Sequence, residues 1–133
     1  MILPPNPRLK GMLYLPYNTP EVCEELVEKY ADNEGIIGYT VCSTRNNPVH
    51  SDVYTRLYKL IEDSGKPLAF HSGYHWGDPS FAQLNRFLSM HALSFTHYNQ
   101  IHVTNWIINA MPERFPKLKM VWVESGLAWI PFL

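Results

Sequence analysis

A chain of 133 residues suits one domain, and 46% hydrophobic against 17% charged residues supports a buried core, which argues against an intrinsically disordered polymer. Eleven basic and twelve acidic side chains leave a formal charge of -1 with no basic cluster, so nucleic acid is not an expected partner. No apolar stretch approaches the roughly twenty residues of a membrane span, and Met1-Ile2-Leu3-Pro4-Pro5 lacks the plan of a signal peptide, so the expectation is a soluble, cytoplasmic protein without a membrane partner.

In chain order, the first apolar run is LKGMLYLP (9–16). It is nearly continuous rather than alternating, as in a strand covered on both faces. NTPEVCEELVEKYADNEG follows, with Thr19 as a capping residue, Pro20 suited to the first helical position, and Val22, Leu26, Val27 and Tyr30 on one face. This is a helix. GIIGYTVC (35–42) is a second strand, and Ser51 then caps the helix DVYTRLYKLIEDSG, whose stripe is Val53, Leu57, Leu60 and Ile61 and which Gly65 and Pro67 stop. PLAFHS (67–72) is a third strand. PSFAQLNRFLSMHA and FTHYNQIHVTNWIINAMPERFP then read as two helices, the second apolar around much of its circumference until Pro112 and Pro116. KMVWVES (119–125) is the fourth strand. Cys23 and Cys42 fall in different elements and no Cys-x-x-Cys occurs, which fits two unpaired thiols in a reducing compartment.

The order β-α-β-α-β-α-α-β builds a parallel sheet through right-handed crossovers, either as a barrel segment or as an open doubly wound sheet. No Gly-x-Gly-x-x-Gly or Gly-Lys-Ser/Thr follows the first strand, so the usual nucleotide-binding devices of the open sheet are missing and the barrel is favoured. The single domain covers residues 1–133.

In such folds chemistry gathers at the strand C-termini. His71 ends the third strand, where an imidazole can bind a metal, move a proton or hydrogen-bond within the core. Glu124 has the corresponding place on the fourth strand, after three large apolar residues. A carboxylate buried there must be paired, hydrogen-bonded or protonated, so it is either structural or an acid/base group. Arg45, after the second strand, is either a clamp for a substrate carboxylate or a solvated loop residue. His75 and Trp76, with Tyr74 and Asp78, form a rim loop that either packs locally or touches substrate. His91, His97 and His102 read as structural, and Trp106, Ile107, Ala110 and Met111 as core.

PLAFHSG, the later MPERFPKLKMVWVESGLAWIPFL and the order of elements between them resemble the amidohydrolase-related metal-dependent hydrolases. That TIM-barrel group includes aminocarboxymuconate-semialdehyde decarboxylase and resorcylate-type decarboxylases. The resemblance runs from about Leu9 to Leu133 and corresponds to strands three to six of the eight. It implies that His71 is a metal ligand, that the ion is Zn or Mn, and that the substrate is a small carboxylate or carbonyl compound. Relatives often carry a proton-transferring histidine at the end of strand six, where this chain has Glu124.

The group's His-x-His pair of strand one and its strand-eight aspartate have no match here, so the chain is expected to be either a fragment of a longer protein or a natural truncation that cannot assemble a complete metal site from one copy, and to be inactive alone. Two rival readings are a non-catalytic piece that self-associates, giving a homo-oligomer, and an open flavodoxin-like sheet that binds a small ligand where the strand order reverses.

Overall fold

Four parallel strands pair side by side in chain order in the computed structural model, which describes residues 6–42, 47–73, 75 and 77–132. They are β1 (Gly11–Tyr14), β2 (Ile36–Cys42), β3 (Leu68–His71) and β4 (Met120–Val123). The connecting helices are α1 (Pro20–Tyr30), α2 (Thr55–Ser64), α3 (Phe87–Ile108) and α4 (Met111–Arg114). Consecutive order with no reversal excludes the expected mark of the open doubly wound sheet. Among the described residues no helix is long and apolar enough to cross a membrane.

Several local expectations are corrected. Thr19 precedes α1, yet its side chain makes no capping bond; its carbonyl instead receives the N–H groups of Val22 and Cys23 at 3.1 and 3.2 Å. The buried side of α1 centres on Cys23, Glu24 and Val27, with Leu26 packed against the core as expected and Val22 exposed; Glu24 pairs with Arg56 of α2. Ser51 opens a 3-10 turn, Asp52–Tyr54, which exposes Val53 and buries Tyr54 before α2 begins. Gly65 ends α2 as expected, in the left-handed region at φ 69°.

The two helices expected before the fourth strand are largely one. Residues 79–81 form a 3-10 turn, and α3 then runs unbroken for 22 residues. Nothing between Ala92 and Phe95 interrupts it, because the Ser94 hydroxyl donates to Met90 O at 2.6 Å and is satisfied within the helix. Trp106 and Met111 are buried as expected, whereas Ile107 and Ala110 are exposed. His102 packs on Phe70, and His97 meets Phe81 edge-on, as structural histidines would.

The core lies on the helix side of the sheet, where Leu13, Leu15, Tyr39, Val41, Leu68 and Phe70 meet residues of the covering helices. The opposite face is not covered throughout: Met12, Tyr14 and Val121 are exposed, although the central Ala69 is buried. The expectation of strands covered on both faces therefore fails here, because the described helices all pack on one side.

Three buried tyrosines tie β1's exit to α2. The Tyr17 and Tyr54 rings stack at 4.0 Å, and Tyr54 donates its hydroxyl hydrogen to Tyr17 O at 3.0 Å. Tyr58 donates to Val49 O at 2.7 Å, so in the short contact between the Tyr17 and Tyr58 hydroxyls the donor is Tyr17. Burial raises both phenols above their ordinary range, and Cys23 is likewise pushed up to about 11. Removing the Tyr58 hydroxyl strands both a buried carbonyl and a buried donor, whereas removing that of Tyr17 strands neither. Urea unfolding should give a loss of about 2–3 kcal/mol for Tyr58→Phe and about 1 kcal/mol for Tyr17→Phe; equal losses would contradict this donor assignment.

Candidate active site at the strand C-termini

Parallel pairing brings the ends of β2, β3 and β4 into line: Cys42 pairs with His71, and His71 with Val123. Glu124 is the next residue. His71 and Glu124 thus emerge at one end of the sheet, with His71 Nε2 3.9 Å from Glu124 Oε2. Both side chains are about half exposed, at 49% and 50%, so Glu124 is not the buried carboxylate expected from its apolar neighbours.

The histidine's tautomer follows from its surroundings. Nδ1 lies 2.8 Å from Ser72 O, an oxygen that can only accept, so Nδ1–H is the donor. In the neutral ring the lone pair then resides on Nε2, the nitrogen facing Glu124. A carbonyl behind one nitrogen with the other presented outward is the arrangement that orients metal-binding histidines. His71 therefore fits a cation as one ligand. Among the described residues, no three His, Cys, Asp or Glu side chains come together in a metal-sized group.

Ser72 donates its hydroxyl hydrogen to Glu124 Oε2 at 3.2 Å, a contact not anticipated from sequence. Glu124 has φ 60°, the left-handed region that side-chain-bearing residues seldom adopt. Extended backbone alternates its side chains between faces, so a simple continuation of β4 would send residue 124 away from the face that carries His71. The left-handed step breaks that alternation. On either side of it, the buried Asn99 amide of α3 donates to Val123 O and to Ser125 Oγ, both at 2.8 Å, and it lies 3.3 Å from Phe70 O. An asparagine inside an apolar helical run is the one sequence signal that could have marked this contact.

His75 belongs to a second cluster. With Gly77, Asp78, Pro79 and Tyr98 it lines a shallow cavity of about 290 Å³, which neither His71 nor Glu124 lines. Asp78 accepts from the Tyr98 hydroxyl at 2.7 Å and from Ser80 N–H at 2.8 Å, bonds that hold its carboxyl below the ordinary range. They fasten the loop to α3. Arg45 and Trp76 lie outside the described residues.

The sequence matches no family model and no curated protein. Solved structures do match the fold. IDCase from Metarhizium anisopliae superposes with a TM-score of 0.78 at 18% identity, over 97% of this chain and 35% of that one. For 5-carboxyvanillate decarboxylase LigW from Sphingomonas paucimobilis the TM-score is 0.73 at 20% identity, over 95% and 39% of the two chains. A dihydroxybenzoic acid decarboxylase from Polaromonas, solved with bound manganese and the inhibitor 2-nitroresorcinol, gives 0.68 at 19% identity over 86% and 37%. The chain spans between about a third and two fifths of the length of these structures. Its architecture, four parallel strands in chain order, is part of a TIM barrel, the fold it shares with these structures.

A left-handed glutamate is strained, and glycine would relieve the strain. Glu124→Gly should leave stability within about 0.5 kcal/mol, because relief of the left-handed strain is offset by the buried Ser72 hydroxyl losing its acceptor. Denaturant midpoints of the two proteins check this; a clearly less stable variant would contradict it.

Proposed function

We propose that this chain supplies part of the active site of a metal-dependent decarboxylase or hydrolase acting on small carboxylate or carbonyl compounds. The observation that carries the reading is the presentation of His71, whose Nδ1–H is tied to Ser72 O while Nε2 faces outward beside Glu124 at the C-terminal end of a parallel sheet. A divalent ion, Zn or Mn, would be held in part by His71 and would polarise a substrate oxygen or activate water. The remaining ligands would come from outside these residues.

The other roles follow from reach and chemistry. Glu124 would give or take a proton, with Ser72 fixing the direction of its carboxylate. Arg45, His75 and Trp76 would contact substrate from the loops, Arg45 through a carboxylate and His75 from the wall of its own cavity. The solved structures of similar fold include decarboxylases of 5-carboxyvanillate and of dihydroxybenzoic acids, so hydroxybenzoic acids are the first substrates to try. His71→Ala should lower metal occupancy and turnover together in the complete protein. Glu124→Gln should keep the metal and slow turnover roughly a hundredfold or more. Elemental analysis and substrate loss in one preparation check both; full metal and normal rate without His71 would remove its ligand role, and normal turnover without the Glu124 carboxylate would make that residue structural.

The exposed Met12, Tyr14 and Val121 favour a second reading, in which the chain by itself is a non-catalytic, self-associating piece. The isolated chain should then scatter light as an oligomer and bind metal below one ion per chain after dialysis. A stable monomer at high concentration would count against the association, and a full complement of metal against the incompleteness.

A further inference from the structure

We propose that Asn99 is a positioning residue, whose single buried amide nitrogen clamps the ends of β3 and β4 and holds Glu124 in the left-handed conformation that turns its carboxylate toward His71. The geometry of the bonds carries the inference. Asn99 Nδ2 lies 2.8 Å from Val123 O, 2.8 Å from Ser125 Oγ and 3.3 Å from Phe70 O. Phe70 and Val123 immediately precede His71 and Glu124, and Ser125 follows Glu124. The nitrogen therefore grips the backbone before each site residue and the chain on both sides of the strained one.

Two further facts separate this from ordinary core filling. The amide cannot be turned over, because its oxygen would then face two carbonyl oxygens that only accept. With the nitrogen so committed, Asn99 Oδ1 is left buried without a hydrogen-bond partner among the described residues, although the side chain is fully enclosed. An unpaired buried acceptor carries a desolvation penalty, so the fold retains Asn99 at some expense for what its nitrogen does. Trp129 supplies an outer support, its indole N–H donating to Ser125 O and so bracing the segment from the far side of Glu124.

The clamp itself is independent of the reaction; its bearing on metal and proton transfer rests on the reading of His71 and Glu124 given above. The experiment uses the isotopically labelled 133-residue chain and the near-isosteric substitution Asn99→Leu, which preserves bulk and removes the donor. In the unsubstituted chain the Asn99 side-chain amide protons should exchange slowly with solvent and show scalar coupling through the hydrogen bond to the Val123 carbonyl. Exchange at the rate of a solvated asparagine would overturn the proposal, and this measurement decides even if Asn99→Leu does not fold. In the variant, the carbon shifts of residue 124 should move from left-handed to extended values, with changes concentrated at residues 71–72 and 123–125. Unchanged shifts at residue 124 in a folded variant would also overturn it.

Titration with Mn²⁺ alone, followed by paramagnetic broadening, adds the functional arm. Broadening centred on His71 should require about tenfold or more higher Mn²⁺ in the variant, as for loss of other supporting contacts around metal ligands. Equal Mn²⁺ dependence would overturn the positioning role. If His71 does not broaden even in the unsubstituted chain, the metal reading fails instead, and the clamp then stands or falls on the amide exchange and the residue-124 shifts.

Discussion

Parallel strand pairing is the constraint on which everything else in this molecule depends. A parallel pair cannot be closed by a tight turn, so each strand must be followed by a return over the sheet, and here that return is helical every time. The consequence is that all four strands finish on one side. His71 and Glu124, separated by the whole of α3 and α4, meet there because β3 and β4 are hydrogen-bonded neighbours in the register His71 to Val123.

The core and the site draw on different parts of this arrangement. On the helix side, buried aromatic and aliphatic residues are locked by the Tyr17, Tyr54 and Tyr58 contacts, and polar groups there are mostly satisfied by backbone carbonyls. Glu62 makes a comparable tie lower down, accepting Lys117 N–H at 2.8 Å and the Lys59 ammonium at 3.0 Å, so its carboxyl lies below the ordinary range and the start of β4 is joined to α2. Lys66 caps the end of α1 through Tyr30 O and Asn33 O. At the strand ends the pattern changes: side chains are half exposed, a glutamate sits in left-handed backbone, and a buried amide oxygen has no partner among the described residues. Such irregularities occur elsewhere too, as at Ala110 with φ 53° and the buried His50 Nδ1, but at the strand ends they stand beside His71 and Glu124.

The same arrangement explains why the sheet is unequal on its two faces. Helices returning on one side bury Tyr39, Phe70 and Leu68 completely, while Met12, Tyr14 and Val121 remain accessible on the other. This chain matches little more than a third of the length of the solved structures of similar fold.

From sequence alone, continuous apolar runs separated by amphipathic stretches specified four strands, their parallel order and the placement of His71 and Glu124 at strand ends, because burial periodicity and turn residues such as Gly65 and Pro67 are local signals. The unbroken span of α3 was not legible, since the serine within its apolar run is satisfied only by a bond to Met90 O that forms once the helix is continuous. Nor was the burial of Glu24 on α1, whose carboxylate pairs with Arg56 from another helix. The site's finer geometry came only from tertiary structure. Ser72 reaching Glu124, the outward Nε2 of His71, the left-handed turn at Glu124 and the grip of Asn99 each join residues distant in sequence or oppose local backbone preference. No local pattern encodes such contacts, because their energy exists only once β3, β4 and α3 have packed together.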